Sequence, residues 1–269
     1  MALVSTPAVV LQTYRYSETS KVVRLATRDL GIQSAIAKGA SRPRSPFGAG
    51  LELLSEGVAQ LYHREVRELQ LLAAFDVTEL HRGLAADVGR FAGAAALSQV
   101  LLRMAPAAPL PAAYDTFTAC LAALAAVPPD DADALAVRAL WRLVGVLGFE
   151  PSLQACARDG TPVASAANGG PPVAFSAADG GVLCPSCAQA NPPTRLPAGA
   201  FRDLLALNDW GAPLPPLDAP HAAAHRRLVA RFIRHHLGET GAVSALNFWE
   251  HHAWVSRRPP RPPRPPAAS

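Results

Sequence analysis

The stretch "SKVVRLATRDLGIQSAIAK", residues 20–38, decides the fold because it contains two short strands joined by a turn. The turn "RDLG" ends in a glycine, a residue that readily adopts the conformations a chain reversal needs. In the segment after the turn, side chains alternate between two faces; Ile32, Ser34, Ile36 and Lys38 share one, and Gln33, Ala35 and Ala37 share the other. This period of two predicts an antiparallel hairpin.

Similar segments lie on both sides of this hairpin. "AVVLQTYRY" (residues 8–16) precedes it, and "LELLSEGVAQLYH" (51–63) and "ELQLLAAF" (68–75) follow it. The last segment is expected to place four residues on one side of its strand: Leu69, Leu71, Ala73 and Phe75. Five short strands within about seventy residues predict a small antiparallel barrel of the oligonucleotide-binding (OB) type over residues 1–78. An SH3-like barrel is the closest alternative.

The periodicity becomes helical from Glu79 onward. In "ELHRGLAADVGRFAGAAALSQVLLRM" (79–104), apolar residues recur near helical spacing at Leu80, Leu84, Val88, Phe91 and Leu97. Further alanine-rich helices are predicted around 112–127, 131–148, 198–210, 221–238 and 241–255. The predicted fold class is therefore α+β, with the barrel followed by an α-helical domain over residues 79–256.

Two segments depart from the helical pattern. Residues from about 150 to 197 are rich in Gly, Pro and Ala and have no clear period, which predicts a ribbon-like insertion. Residues 257–269 consist mainly of Arg and Pro and predict a disordered, extended basic tail. Its cations would add non-specific DNA affinity, with an inert tail as the alternative; they are Arg257, Arg258, Arg261 and Arg264.

The net charge of +4 is unevenly distributed along the 269 residues. Residues 1–50 contain seven Lys or Arg against two acidic residues, whereas residues 51–256 contain fourteen Arg against nineteen acidic residues. Concentration of positive charge in the barrel predicts a polyanionic partner for that domain. A solvated basic surface is the alternative.

The segment "KGASRPRSPFGAG", residues 38–50, is the most basic part of the barrel domain and has no acidic residue. Lys38, Arg42 and Arg44 are predicted to contact phosphates from a mobile loop that buries no apolar face, and Arg24 on the second strand is predicted to add to them. Tyr14 is a candidate for stacking on bases, with packing in the barrel core as the alternative. Phe47 in the loop is a weaker stacking candidate.

The cysteines of the ribbon-like insertion have the spacing of a metal site. Cys184 and Cys187 form a Cys-x-x-Cys pair, and Cys156 is followed three residues later by Asp159. Two such pairs are typical of a closed, structural Zn²⁺ site, here with one carboxylate ligand. The alternative is a ribbon that has lost its metal. A redox function is disfavoured because no βαβ pattern surrounds the pair.

Several functional classes lack their sequence signatures. Apolar runs are too short for a transmembrane helix, and the first residues do not resemble a signal peptide, so we expect a cytoplasmic protein without membrane association. No Ser/His/Asp order, phosphate-binding Gly loop or paired-carboxylate motif is visible, so we expect no enzyme. The classes that remain are a non-catalytic DNA-binding protein and, as the alternative, an RNA-binding or translation-associated OB protein.

Three segments together resemble the RecO family of bacterial recombination-mediator and DNA-repair proteins. They are "AKGASRPRSPFGAGLELLS", "GFEPSLQACARDG" with "GGVLCPSCA", and "HLGETGAVSALNFW". Asp159 stands where the ribbon of that family usually has its second cysteine. The resemblance implies an OB barrel, a helical domain with an inserted zinc ribbon, and a nucleoid-associated protein.

The resemblance also implies partners and an activity. These are binding of single- and double-stranded DNA, annealing of strands coated by single-strand-binding protein, and recombinase loading with a RecR-type partner. A candidate docking place for the C-terminal tail of single-strand-binding protein is a ridge of Arg227, Arg231 and Arg234, which have helical spacing beside an apolar stripe of Leu228, Val229, Phe232 and Ile233. A merely solvated helix face is the alternative.

Overall fold

The structure, a computed structural model, describes residues 2–48, 50–163, 170–189, 194–238 and 243–252. The N-terminal part is a five-stranded barrel, as the alternating pattern predicts. Its strands are β1 (Ala2–Arg15), β2 (Lys21–Thr27), β3 (Gly31–Ala37), β4 (Glu56–His63) and β5 (Leu69–Glu79).

The barrel closes because β1 is long enough to pair at both ends. Its first half pairs antiparallel with β4 and its second half with β2. The β1–β2 register shifts between Val10 and Gln12, and such a bulge bends the strand from one neighbour to the other. The order β1-β2-β3-β5-β4, with β3 and β5 parallel, is the OB arrangement and not the SH3-like alternative.

The two faces of β3 differ in a way that the sequence pattern alone did not assign. Ala35 and Ala37 point into the barrel and are fully buried, whereas Ile36 is only partly buried on the outer face. Small residues suffice on the inner face of β3 because Leu25, Leu61 and Phe75 of the other strands fill the limited interior volume. The larger apolar side chain therefore lies outside the barrel core.

The prediction that Leu69, Leu71, Ala73 and Phe75 share one side of β5 is partly wrong. Gln70, Leu72 and Phe75 are buried, whereas Leu69 and Ala73 are exposed. The reason is a bulge on β5, where Gln60 pairs with Ala74 but Leu61 pairs with Leu72. Ala73 is the extra residue. Before it, even-numbered residues point into the barrel; after it, the odd-numbered Phe75 does.

The segment between β3 and β4 is a series of tight turns that closes one end of the barrel. Backbone hydrogen bonds link Arg42 N to Gly39 O (3.1 Å) and Ser45 N to Arg42 O (3.0 Å). Phe47 and Leu51 are buried in the barrel core. The expectations that this loop buries nothing and that Phe47 stacks on bases are therefore wrong, because the barrel end offers an apolar site that the local sequence does not reveal.

The chain then forms a helical domain around one large apolar core. Its helices are α1 (Arg82–Ala85), α2 (Val88–Met104), α3 (Pro111–Ala126), α4 (Ala132–Val144), α5 (Ala198–Asn208), α6 (Ala219–Leu237) and α7 (Ser244–Glu250). The predicted apolar face of the first helical segment is partly wrong, because Leu80, Val88 and Phe91 are exposed. The buried face of α2 consists mainly of small residues (Ala, Gly and Ser), and Gly93 lies so close to Ala136 that a Cβ at Gly93 would be 2.8 Å from the Ala136 Cβ.

The insertion is a small three-stranded ribbon packed on the helical domain. Its strands are β6 (Val173–Ser176), β7 (Gly181–Leu183) and β8 (Thr194–Leu196), in the order β7-β6-β8. Phe175 packs edge-on against Trp141, with ring centroids 6.2 Å apart. The ribbon therefore shares the core of the helical domain, while its outer end extends beyond it.

Barrel and helical domain are joined by direct polar contacts. The Arg28 guanidinium, on the β2–β3 turn, donates to both carboxylate oxygens of Asp115 on α3, at 2.8 and 3.0 Å. Ser98 on α2 donates to the Leu11 carbonyl at the β1 bulge. Within the described residues, the helices are all too short or too polar to cross a membrane.

Candidate nucleic-acid interface and metal centre

The basic residues of the barrel loop lie exposed at the surface. Lys38, Arg42 and Arg44 are exposed, and none forms an ion pair with another described residue. A hydrogen bond from Ser41 N to Thr19 O (3.0 Å) holds the loop against the β1–β2 turn. The turns fix the backbone, so these cations project from an ordered support and remain available to an external anion.

One glycine in this loop is required by its backbone conformation. Gly39 has a φ of +74°, which favours glycine, and lies directly after Lys38. The turn that it permits brings the Arg42 backbone back toward β3. The spacing of the two cations therefore depends on this glycine.

Arg24 and Tyr14 lie on the outer face of the barrel. Arg24 is partly buried between Gln12 and Ser34 of the neighbouring strands, and its Nε is buried without an acceptor among the described residues. Tyr14 is 51% exposed, and its hydroxyl donates to Gln12 Oε1 at 2.5 Å. The alternative of barrel-core packing is wrong for Tyr14, whose ring stays accessible.

The α6 arginines have different surroundings. Arg234 forms an ion pair with Glu250 and also donates to Asn247 Oδ1 at 2.8 Å. Arg231 donates to Thr194 Oγ1 on the ribbon, whereas Arg227 is exposed. The apolar stripe beside them is buried in the core of the helical domain and is not at the surface, contrary to the prediction. The stripe comprises Leu228, Val229, Phe232 and Ile233. Binding of a partner by these arginines stays a prediction, and the tail arginines 257–264 lie outside the described residues.

The ribbon brings the four predicted metal ligands together. One donor atom from each of Cys156, Asp159, Cys184 and Cys187 lies within 4.8 Å of the others. Asp159 Oδ2 accepts from the thiols of Cys184 and Cys187, each at 3.3 Å. Sulfurs bound to one tetrahedral Zn²⁺ at about 2.3 Å are separated by about 3.8 Å, so the cluster has the size of such a site.

Two backbone knuckles place these side chains. Gly160 N donates to Cys156 O (2.9 Å) and Thr161 N to Asp159 Oδ1 (3.0 Å) in the first knuckle, while Ala188 N donates to Cys184 O (3.0 Å) in the second. Arg158 belongs to the first knuckle, and its guanidinium binds the Asp179 carboxylate and donates to Cys187 O of the second. This arginine ties the two knuckles together independently of any ion.

The electrostatics of the cluster favour a cation. The Thr161 backbone N–H, followed by the Cys156 and Cys187 thiols, lowers the pKa of Asp159. Hydrogen bonding to this carboxylate and to Cys184 raises the pKa of Cys187 to about 12. Four anionic donors this close repel one another, so a bound dication is what would allow the thiols to ionise together. The donor set fits Zn²⁺, with Asp159 as its single oxygen ligand.

One group near the basic loop was missed from the sequence. Arg67, in the β4–β5 loop, lines the same cavity of about 210 Å³ as Lys38 and Tyr62. Lys38 and Arg67 are nearly thirty positions apart in sequence and meet because β3 and β5 pair in parallel. The sequence feature that could have indicated this group is Tyr62, which lies two residues before the charged run "REVRE" (64–68).

Together these features define a class: an OB-barrel protein with a helical domain and an inserted zinc-ribbon-like metal cluster. Two family models match the chain, "Recombination protein O N terminal" over residues 1–81 and "Recombination protein O C terminal" over residues 85–244.

Curated relatives agree with this match. A DNA repair protein RecO from Anaeromyxobacter dehalogenans (strain 2CP-C) is 38% identical over 248 residues, covering 88% of this chain and 93% of the relative. Another from Symbiobacterium thermophilum is 33% identical over 210 residues, covering 78% of this chain and 81% of the relative. The chain belongs to the RecO family of DNA repair proteins.

Proposed function

We propose that the protein is a non-catalytic DNA-binding protein of recombinational repair. It binds single- and double-stranded DNA through the barrel, anneals complementary strands coated by single-strand-binding protein, and assists recombinase loading with a RecR-type partner. Family membership supports the role in DNA repair. The annealing and loading steps are our own inference from the family resemblance and the surface of the barrel.

The observation that supports DNA binding most is the set of exposed cations on the ordered loop, which have no ion-pair partner among the described residues. Lys38, Arg42 and Arg44 share one exposed segment, and the nearby Arg24 Nε lacks an acceptor among the described residues. A phosphate chain would neutralise these groups and release bound counterions. Tyr14 supplies an accessible ring on the same barrel for base stacking.

The experiment is annealing of complementary DNA strands pre-coated with single-strand-binding protein, combined with a salt titration of single-strand affinity. The triple variant Lys38→Ala/Arg42→Ala/Arg44→Ala removes three phosphate contacts. We expect it to lose annealing and to reduce the magnitude of the salt slope by about 2, since each contact on a single strand contributes about 0.7.

The matched control is Arg82→Ala/Arg103→Ala/Arg202→Ala, which removes three exposed helical-domain cations outside the predicted docking ridge of α6. This control should keep both the slope and the annealing rate. An unchanged slope in the loop variant would contradict the assignment of the site. Tighter binding to RNA than to DNA, without annealing of coated strands, would favour the RNA-binding alternative.

We also propose that the ribbon cluster holds one structural Zn²⁺. The residues that would hold it are Cys156, Asp159, Cys184 and Cys187, and the metal would fix the outer end of the ribbon. In a closed four-ligand site such a metal has no open position for chemistry. The nearby acidic and basic side chains, including the Arg158–Asp179 pair, position the knuckles.

Metal analysis tests this proposal. We expect about one zinc per chain, retained by an Asp159→Cys variant and lost from a Cys184→Ser variant. Chelation should lower the melting temperature of the wild-type protein and leave that of Cys184→Ser unchanged. Zinc-free wild-type protein, with its thiols freely titratable, would show that the ribbon folds without metal.

A further inference from the structure

An apolar belt runs around the outside of the barrel. Following the strand pairing, Leu3 pairs with Tyr62, Tyr62 with Leu71, Leu71 with Ile36, Ile36 with Val22, and Val22 with Tyr14. Directly paired residues project from the same face of a sheet. Four of the six lie next in sequence to a residue of the barrel core and therefore face outward: Tyr62 next to Leu61, Leu71 next to Leu72, Ile36 next to Ala35, and Val22 next to Val23. Leu3 and Tyr14, at the two ends of the row, are exposed.

The belt is exposed to solvent at its two ends and partly buried between them. Leu3 is 53% and Tyr14 51% exposed, while Val22, Ile36 and Tyr62 have intermediate exposure. The outer face of a small barrel is normally polar, because alternation places apolar residues inside. A continuous apolar row on that face therefore indicates a binding surface.

A preformed cavity lies on this belt. It has a volume of about 210 Å³, and its apolar lining comes from Ile36, Tyr62, Leu69 and Leu71. This is below the roughly 300–1,000 Å³ of pockets for drug-sized ligands, so the cavity suits a single planar group. Lys38 and Arg67 also line the cavity and supply its charged side.

A buried glutamine holds the edge of the cavity in place. Gln70 is only 3% exposed, and its Nε2 donates to the carbonyls of Arg64 (2.9 Å) and Arg67 (2.6 Å). Its Oε1 accepts from Arg64 N at 2.9 Å. These bonds fix the β4–β5 loop, so Arg67 stands at the cavity in the free protein.

The charges at the cavity are complementary to a phosphate chain. Its lining includes two cations and no acidic side chain. Neither Lys38 nor Arg67 has an ion-pair partner among the residues that the structure describes. Glu65 and Glu68 belong to the same loop but do not line the cavity. An aromatic and aliphatic recess beside two exposed cations favours a nucleotide over an apolar protein segment.

We propose that this cavity is a stacking site for one unpaired base of a single strand. Tyr62 and the aliphatic floor contact the base, and Lys38 and Arg67 contact the flanking phosphates. The belt then gives neighbouring bases a continuous apolar path toward Tyr14. This inference rests on the proposed DNA-binding function and adds that the site reads unstacked bases, which a duplex does not present.

The first experiment compares two oligonucleotides of equal length and charge, one oligothymidylate and one abasic, on the full-length wild-type protein. Both offer the same phosphates, but only the first offers bases. We expect the abasic strand to bind at least about ten-fold more weakly. Equal affinities would overturn the stacking site and leave the phosphate contacts intact, whereas failure of both strands to bind would overturn the DNA-binding function itself.

The second experiment uses Tyr62→Leu, which keeps an apolar side chain and removes the aromatic ring. We expect about ten-fold weaker binding to oligothymidylate, with an unchanged salt slope because no charge is lost. Duplex affinity should not change. Phe91→Leu, at an exposed aromatic of the helical domain, is the matched control and should bind like wild type.

Two results would overturn the proposal. One is unchanged oligothymidylate affinity in a folded Tyr62→Leu variant, which would leave the belt as a surface for a protein partner. The other is an equal loss for single strand and duplex, which would indicate damage to the barrel instead of a lost base contact. Circular dichroism and the melting temperature establish that the variant is folded.

Discussion

The basic loop of the barrel and helix α6 have similar numbers of cations and use them differently. In the loop, Lys38, Arg42 and Arg44 have no ion-pair partner within the described part of the chain, and the anchoring is done by Phe47 and Leu51. On α6, by contrast, arginines form ion pairs that hold the helix against its neighbours.

The contacts of α6 show this. Arg226 is 4% exposed and binds Asp133 at 2.5 Å, and Arg234 is paired with Glu250. Buried charges need partners, whereas exposed charges do not. A cluster of arginines in a sequence thus indicates a binding surface only where apolar residues already provide the local stability.

The strongest test of this contrast is Phe47→Ala. The side chain is 5% exposed in the barrel core, so its removal should lower the free energy of unfolding by about 3–5 kcal/mol. We expect weaker DNA binding as well, because the turns that hold Arg42 and Arg44 lose their anchor. Chemical denaturation and the oligothymidylate titration measure the two effects.

The same substitution at Phe91, which is 39% exposed, provides the comparison and should lower the free energy of unfolding by less than about 1 kcal/mol. If Phe47→Ala were as mild as Phe91→Ala, the loop would not be anchored by its own apolar residues. The contrast with α6 would then fail.

The next effect in size is expected for Arg226→Met. Loss of the guanidinium leaves Asp133 without its closest partner and frees the Glu250 carbonyl, at a cost of about 2–4 kcal/mol. His252, whose Nε2 lies 2.9 Å from Asp133 Oδ1, offsets part of this loss. Thermal and denaturant unfolding measure the loss of stability in Arg226→Met. The affinity of this variant for single-stranded DNA should remain at the wild-type level.

Arg227→Met, at the adjacent exposed position, is the matched control and should change stability by less than about 0.5 kcal/mol. Equal effects at the two positions would mean that the buried ion pair adds nothing. A loss of DNA affinity in Arg226→Met would extend the binding surface to α6.

Much of the architecture followed from periodicity. Alternation over residues 20–38 predicted the β2–β3 hairpin, and the change of period at Glu79 separated barrel from helices. The metal cluster was also predictable, since the knuckle spacings of Cys156–Asp159 and Cys184–Cys187 are local. These features depend on neighbouring residues, which a single sequence displays directly.

Other features depended on pairings between distant segments. The bulge at Ala73 reverses the faces of β5, and no local signal marks it. The apolar stripe of α6 is a sequence feature, but only the packed helices show that it faces the core and not a partner. The cavity at Lys38 requires a parallel pairing between strands more than thirty residues apart.

The sequence by itself determined the order of strands and helices, the four clustered ligands and the concentration of cations in residues 1–50, because these are local patterns of spacing and charge. Tertiary structure alone decided which cations remain free, which apolar residues face outward, and that Phe47 closes the barrel. Whether a side chain is buried or paired depends on the residues that the fold places next to it, and these residues are seldom close to it in sequence.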